Sequence, residues 1–441
     1  MKKQKSRILV LFLAVLLVSV SACKNPFLKK MLVEEEKGES SAVSKHTVTF
    51  SVEGRNGTLK AKADGVAETD VSPITVEQGK TVTFTAEPAE GYVLEQWTNA
   101  GTAITEAGTD KTYTHTVTAN ADIKVKFDAP FIEGGASLIL SPNKLTIKVK
   151  AVTSDGSAVA VEGCTETELT SGAETVLSAK GRKVILKGNI IELECRGNQL
   201  TALNVQGLTA LQRLWCGSNQ ITALNAQGCT ALQTLACGSN QLTELNVQGL
   251  IALQGLYCDE NQITALNAQG LTALQTLDCY NNQLTALNVQ GLTALENLYC
   301  WGNQLTELNV QGLTTLQGLW CGRNQLTALN AQGLSNLQRL WCDSNKLTAL
   351  DVQGCTALEE LRCENNQLTA QAFTKLFDDL PVRQDSDKGE CILYTEESGV
   401  TESNHTDFST PEALKTAFLN AKNNKKWKMY KWNGSWPGVE I

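Results

Sequence analysis

The chain has 441 residues, a formal net charge of −8 and 19% charged residues. That length exceeds one ordinary core, so several domains are expected. The negative balance argues against a nucleic-acid partner, because phosphate backbones are bound by Lys- and Arg-rich surfaces.

Lys2, Lys3, Lys5 and Arg7 precede an apolar run over residues 8–18, and Val20-Ser21-Ala22 leads to Cys23. A basic start, a short apolar stretch and small residues before a cleavage point make an export signal. The stretch is too short to span a bilayer as a mature helix. A cysteine directly after such a cleavage point resembles the lipobox of bacterial lipoproteins. That resemblance implies a signal peptide over residues 1–22 and lipidation of Cys23, the first mature residue. Several acyl chains then give stable anchoring. Lys24 stands where some bacteria place an aspartate for inner-membrane retention, so the expected address is the outer membrane, with the protein surface-exposed. Residues 23–45 are rich in Lys, Glu and Ser and read as a flexible tether.

Residues 46–128 alternate polar and apolar side chains in runs such as 47–52 and 81–85, separated by Gly54, Asn56-Gly57, Gly65, Gly79 and Gly91. Period-two runs between turn residues predict a small all-β domain. The order Val48-Thr49-Phe50, Asn56-Gly57, Gly79 through Phe84, Gly91-Tyr92, Trp97 and Val117 through Asp122 resembles the divergent internalin-type B-repeat modules of bacterial surface proteins. In that family such modules are mostly spacers. Trp97 reads as a core residue. Residues 129–192 are expected to be a linker and an N-terminal cap, since a solenoid needs its apolar end covered.

Nine cysteines follow at a fixed interval of 21 residues: Cys195, Cys216, Cys237, Cys258, Cys279, Cys300, Cys321, Cys342 and Cys363. A leucine stands two positions before each and an asparagine three positions after. Such a period marks a stacked solenoid, here over residues 193–372. L-x-C reads as a short strand, and parallel stacking of these strands predicts one curved sheet. The asparagines are expected to form a buried ladder that satisfies the turning backbone. The convex segments are too short for full helices and read as extended or short second strands. Glycines such as Gly228 and Gly249 suggest tight turns. The unit L-x-C-x-x-N-x-L-T-x-L resembles bacterial leucine-rich repeats, with Asn-Val-Gln or Asn-Ala-Gln where Asp-Val-Ser is common.

The cysteine column reads as free, buried thiols replacing leucine. In-register cysteines on parallel strands suit the disulfide dihedral poorly. A zinc site would need ligands converging on one point. Cys229 and Cys355 occupy a second leucine column. Residues 373–441 are expected to close the core as a mixed α/β cap. A helix over 370–380 ends at Pro381, and a second begins at Pro411 with Thr410 as N-cap. The run 425–432 reads as a strand with a solvated lysine face. The predicted fold class is therefore mainly β: a leucine-rich repeat solenoid with a parallel concave sheet, preceded by the small β domain and closed by the cap.

Catalytic constellations are lacking. The three histidines lie in separate segments, and no triad, phosphate loop or metal motif has its context. No enzyme activity and no cofactor are expected. One residue before each ladder cysteine faces the open concave side. Trp215, Tyr257, Tyr299, Trp320 and Trp341 occupy five of these nine positions, and Tyr280 and Trp301 follow two of the cysteines. Exposed aromatic residues on one face suggest a binding patch. A purely structural stacking of strands is the alternative. The expected protein is a monomeric, lipid-anchored surface protein that touches membrane through its lipid only. Its partner is a host or bacterial surface protein bound in adhesion. A glycan or envelope-polymer ligand, or a structural envelope role without a ligand, is the alternative.

Overall fold

The computed structural model describes residues 43–54, 56–89 and 92–441. The export signal, Cys23, most of the tether and Gly91 lie outside the described residues. Among those described, no helix is long and apolar enough to cross a membrane.

The first unit packs a five-stranded sheet on a four-stranded one. Its strand Lys45–Glu53 runs parallel to the strand Ala121–Asp128. The alternating apolar positions Val48, Val82, Phe84, Ile123 and Val125 fill the space between the sheets. Trp97 is fully buried there, and its Nε1 donates to the Asp110 carbonyl at 2.9 Å.

The N-terminal cap closes the solenoid by continuing both of its sheets. Strand Gly135–Leu140 pairs antiparallel with Leu200–Asn204 on the convex side, and Thr146–Thr153 pairs antiparallel with Ile190–Glu194 on the concave side. One apolar core then runs unbroken from Ala136 to Met429. The concave strands are three residues long and parallel, with Leu277, Leu298 and Leu319 in register on successive repeats. The convex side forms strands only near the ends, at Leu200–Asn204, Ala223–Asn225, Ala328–Asn330 and Ala349–Asp351. Between them side chains bridge the turns; Gln248 and Gln290 Nε2 each donate to the next repeat's carbonyl at 2.8 Å.

Each ladder asparagine is held at both ends of its amide. Asn282 Nδ2 donates to the Cys258 and Cys279 carbonyls at 3.0 and 3.1 Å, and its Oδ1 accepts from the Ile263 amide at 2.9 Å. The residue before each asparagine takes positive φ, as in Ser239, Asn281 and Arg323, with glycine at 197 and 302. That turn aims the amide inward.

Thirteen cysteines among the described residues are unpaired and buried. Burial, then the charge of Glu194, pushes the Cys195 thiol up to about 12; burial, then the neighbouring cysteine, pushes the Cys279 and Cys300 thiols well above their ordinary range. Such thiols are poor nucleophiles and poor metal ligands. Alkylating reagent is expected to spare the ladder in the native chain and label it after denaturation. Cys279→Ser should lower stability by about 1–3 kcal/mol, because a hydroxyl needs a partner that this position lacks. Rapid native labelling would overturn the buried-column reading.

At the far end, helix α1 (Ala370–Asp379) is capped by Thr369, whose side chain accepts from the Ala372 amide. Strand Gly389–Thr395 and strand Trp427–Trp432 extend the concave sheet in parallel. Helix α2 (Glu412–Asn423) begins one residue later than its sequence suggests. Pro411 occupies the N-cap in extended geometry without a side-chain cap bond. The Thr410 hydroxyl instead donates to Asp407, which also holds Ser409. Lys425 donates to the Phe377 and Leu380 carbonyls, so it caps the end of α1. Lys428 and Lys431 pair with Glu390 and Glu396. The basic tail is thereby absorbed into the cap.

The first unit leans on the convex side of the early repeats. Tyr92 Oη donates to Thr201 Oγ1 at 2.9 Å, Thr222 Oγ1 donates to Asn56 at 3.1 Å, and Lys126 pairs with Glu244 at 2.5 Å. This placement leaves the concave face open.

Candidate functional site on the concave face

In each short strand the central leucine enters the core, so the next residue faces outward. Tyr299, Trp320 and Trp341 stand in register on three successive strands and are each half-buried. The Tyr299 and Trp320 rings stack with centroids 4.2 Å apart and planes 11° apart. Trp341 meets Trp320 edge-on at 6.3 Å, and Trp436 from the C-terminal end lies 6.3 Å beyond Trp341. Gly318 lies beneath Trp320, where any Cβ would strike the indole.

A second row runs one position past the cysteines. Tyr280 and Trp301 meet edge-on at 6.4 Å. Next come Gly322, Asp343 and Glu364. A Cβ at Gly322 would crowd both the Trp301 ring and the Asp343 carboxylate, so glycine opens the floor here. The Arg323 guanidinium lies 4.7 Å over Trp301. That of Arg362 lies 4.9 Å from Trp341 and 4.8 Å from Trp432. Thr395, Glu397, Val400 and Trp432 of the cap form the far wall of a cleft of about 910 Å³.

Glu364 sits on the floor with 3% of its surface exposed. Its Oε1 accepts from Arg362 Nε at 3.0 Å, whereas Oε2 finds no hydrogen-bond partner among the described residues. Burial, then the charge of neighbouring Asp343, pushes the Glu364 carboxyl up to about 7 against the pull of Arg362. Burial also raises Asp343, opposed by the same Arg362. A carboxyl raised on folding stabilises the fold most below its ordinary value of 4.5, and this contribution is lost as pH rises through about 7. Stability is therefore expected to fall across pH 5 to 7, and Glu364→Gln should flatten that fall. Asp278, also raised to about 7 by burial, keeps part of the slope in the variant. Thermal melts at stepped pH check this; an unchanged slope in Glu364→Gln would refute the raised carboxyl.

The cleft gathers five of the seven aromatic residues singled out in the sequence: Tyr280, Tyr299, Trp301, Trp320 and Trp341. Trp215 and Tyr257 stand apart. Ala236 separates them, and Asp278 separates Tyr257 from Tyr299. Trp215 is met by Arg196 at 5.7 Å. The repeat pattern could have flagged Asp343, Arg362 and Glu364, since they continue the same two columns. Glu397, Trp432 and Trp436 come from the cap, which has no repeat register. Among the described residues no three His, Cys, Asp or Glu side chains converge to hold a metal ion.

Residues 55–130 match the family model of the divergent InlB B-repeat domain. The first β unit is such a domain. The solved structures similar to this chain include the functional domain of InlJ from Listeria monocytogenes, which includes a cysteine ladder. It is 29% identical, with 56% of this chain and 54% of that chain covered and a TM-score of 0.40. A leucine-rich repeat protein of Leptospira interrogans is 26% identical over 51% of this chain and 56% of its own, with a TM-score of 0.41. The leucine-rich effector YopM of Yersinia pestis is 24% identical over 47% of this chain and 60% of its own, with a TM-score of 0.36. The match thus spans less than two thirds of each of these proteins. No curated protein matches the sequence.

Proposed function

We propose that the chain is a lipid-anchored bacterial surface protein that binds a protein partner on its concave face and serves adhesion to host or neighbouring cells. The observation that carries the reading is the contiguous open row of Tyr299, Trp320 and Trp341 beside Trp301 and Arg323. Tryptophan, tyrosine and arginine are the residues in which interface binding energy concentrates. The B-repeat domain at residues 55–130 supports a spacer that carries the solenoid away from its anchor. Its contacts with the convex side keep the opposite face free.

A photo-reactive residue at Tyr257, on the concave face, should cross-link the intact chain to protease-sensitive molecules of target cells. The same residue at Gln311, on the exposed convex side, should not. Equal cross-linking from both faces would refute concave-face binding. The anchor is tested separately. Cys23→Ala should abolish fatty-acid labelling and release the chain from membranes, and unchanged labelling would rule the lipobox out.

A further inference from the structure

We infer that the cleft between the last repeats and the C-terminal cap takes one pyranose ring of a glycan carried by the partner. This rests on the concave-face reading and specifies what enters the cleft. Three features have to be met by one ligand: the aromatic rows, the exposed Arg323 guanidinium, and the exposed Glu397 carboxylate of the cap.

An apolar side chain would suit the aromatic rows but would cover the Arg323 guanidinium and the Glu397 carboxylate while offering neither a hydrogen bond. Buried polar groups almost always find a partner, so such a ligand leaves the cleft walls unsatisfied. A cationic side chain would meet Arg323 and Arg362, which already cover the faces of Trp301 and Trp341. An anionic one would meet Asp343, Glu364 and Glu397. A neutral polyol meets none of these objections. One face of a pyranose is a patch of C–H groups that lies on an indole or phenol ring. Its rim carries hydroxyls, each both donor and acceptor.

The ring's hydroxyls can donate to the exposed Glu397 carboxylate and accept from Arg323, directly or through one water. Arg323 makes no side-chain hydrogen bond among the described residues and lies exposed at the rim. The cleft volume of about 910 Å³ exceeds one sugar ring and leaves room for the next residue along the chain.

The test titrates the purified mature chain with methyl glycosides of glucose, galactose, mannose, fucose, N-acetylglucosamine and N-acetylgalactosamine, following tryptophan fluorescence. At least one should give a saturable change with Kd of about 1 mM, the range a ligand of this size reaches. Trp320→Ala and, separately, Arg323→Ala should weaken it roughly tenfold or more. Arg323 is exposed, so its variant keeps the test valid should Trp320→Ala unfold. No saturable change with any glycoside, or equal affinity in both variants, overturns the proposal. Concave-face cross-links that persist after enzymatic removal of cell-surface glycans also overturn it, and leave the protein-partner reading standing. Sugar binding that disappears in Arg323→Ala, without cross-links to any protein, supports the sugar site and refutes the protein partner instead.

Discussion

Asn282→Ala is expected to destabilise the solenoid by about 3–5 kcal/mol, as much as any single polar substitution in the repeats. The amide joins four backbone groups from two repeats: the Ile263 amide and the Cys258, Cys279 and Tyr280 carbonyls. The carbonyls are shared, since Asn261 also donates to Cys258, Asn303 to Cys279 and the Glu260 amide to Tyr280. They keep one partner each in the variant. The Ile263 amide loses its asparagine acceptor at a buried position. An orphaned donor costs about 1–3 kcal/mol, and two lost bonds add about 0.5–1.5 kcal/mol each. Asn288→Ala is the control. That asparagine is exposed on the convex side and accepts only from the Gln290 amide two residues on. Its loss should cost less than about 1 kcal/mol. Urea melts of both variants decide the matter, and equal midpoints would show that the ladder contributes nothing special. Because each repeat touches only its neighbours, a lesion at Asn282 should also break the array's cooperativity there.

The sequence made the repeat legible because a period of 21 residues superposes chemically like positions in the fold. Whatever holds register with that period was readable: the leucine core, the thiol column, the asparagine ladder and the aromatic row. What breaks register was not. Asn404 lies 38 residues after Asn366, yet it takes the next ladder place. Its Nδ2 donates to the Cys363 and Leu393 carbonyls at 2.8 Å, and its Oδ1 accepts from the Leu368 amide at 2.8 Å. At the other end the Lys148 backbone receives Asn198 in the same way, from a cap strand with no repeat signature. The site shows the same division. Its aromatic residues lie in the columns, whereas Glu397, Trp432 and Trp436 reach it through the fold of the cap. The floor acids stood in the columns too, but a charged residue at an outward position reads as solvated. Only the closure of the cap over Glu364 makes it a buried one.

Replacing both Trp320 and Trp341 by alanine should reduce partner binding about a thousandfold. Hot-spot truncations cost about 2 kcal/mol or more each, and two of them correspond to roughly three decades in Kd. The rings touch at 6.3 Å, so the effects need not add, and each single variant has to be measured beside the pair. The two residues differ in what they hold. Trp320 lies between Tyr299 and Trp341 with its indole over Gly318, and among the described residues its side chain makes no hydrogen bond and carries no guanidinium. Trp341 donates to Glu360 at 2.9 Å and carries the Arg362 guanidinium on its face. That arginine in turn holds Glu364. Trp341→Ala should therefore lower the melting point as well as the affinity, while Trp320→Ala should leave it nearly unchanged. The measurement is binding of purified variants to target cells, with thermal melts as control. Full binding by a folded Trp320→Ala chain would place the partner elsewhere on the molecule. Equal losses of stability in both variants would show that the row serves to hold the strands together, since a binding surface has no need of Trp320 in the unbound fold.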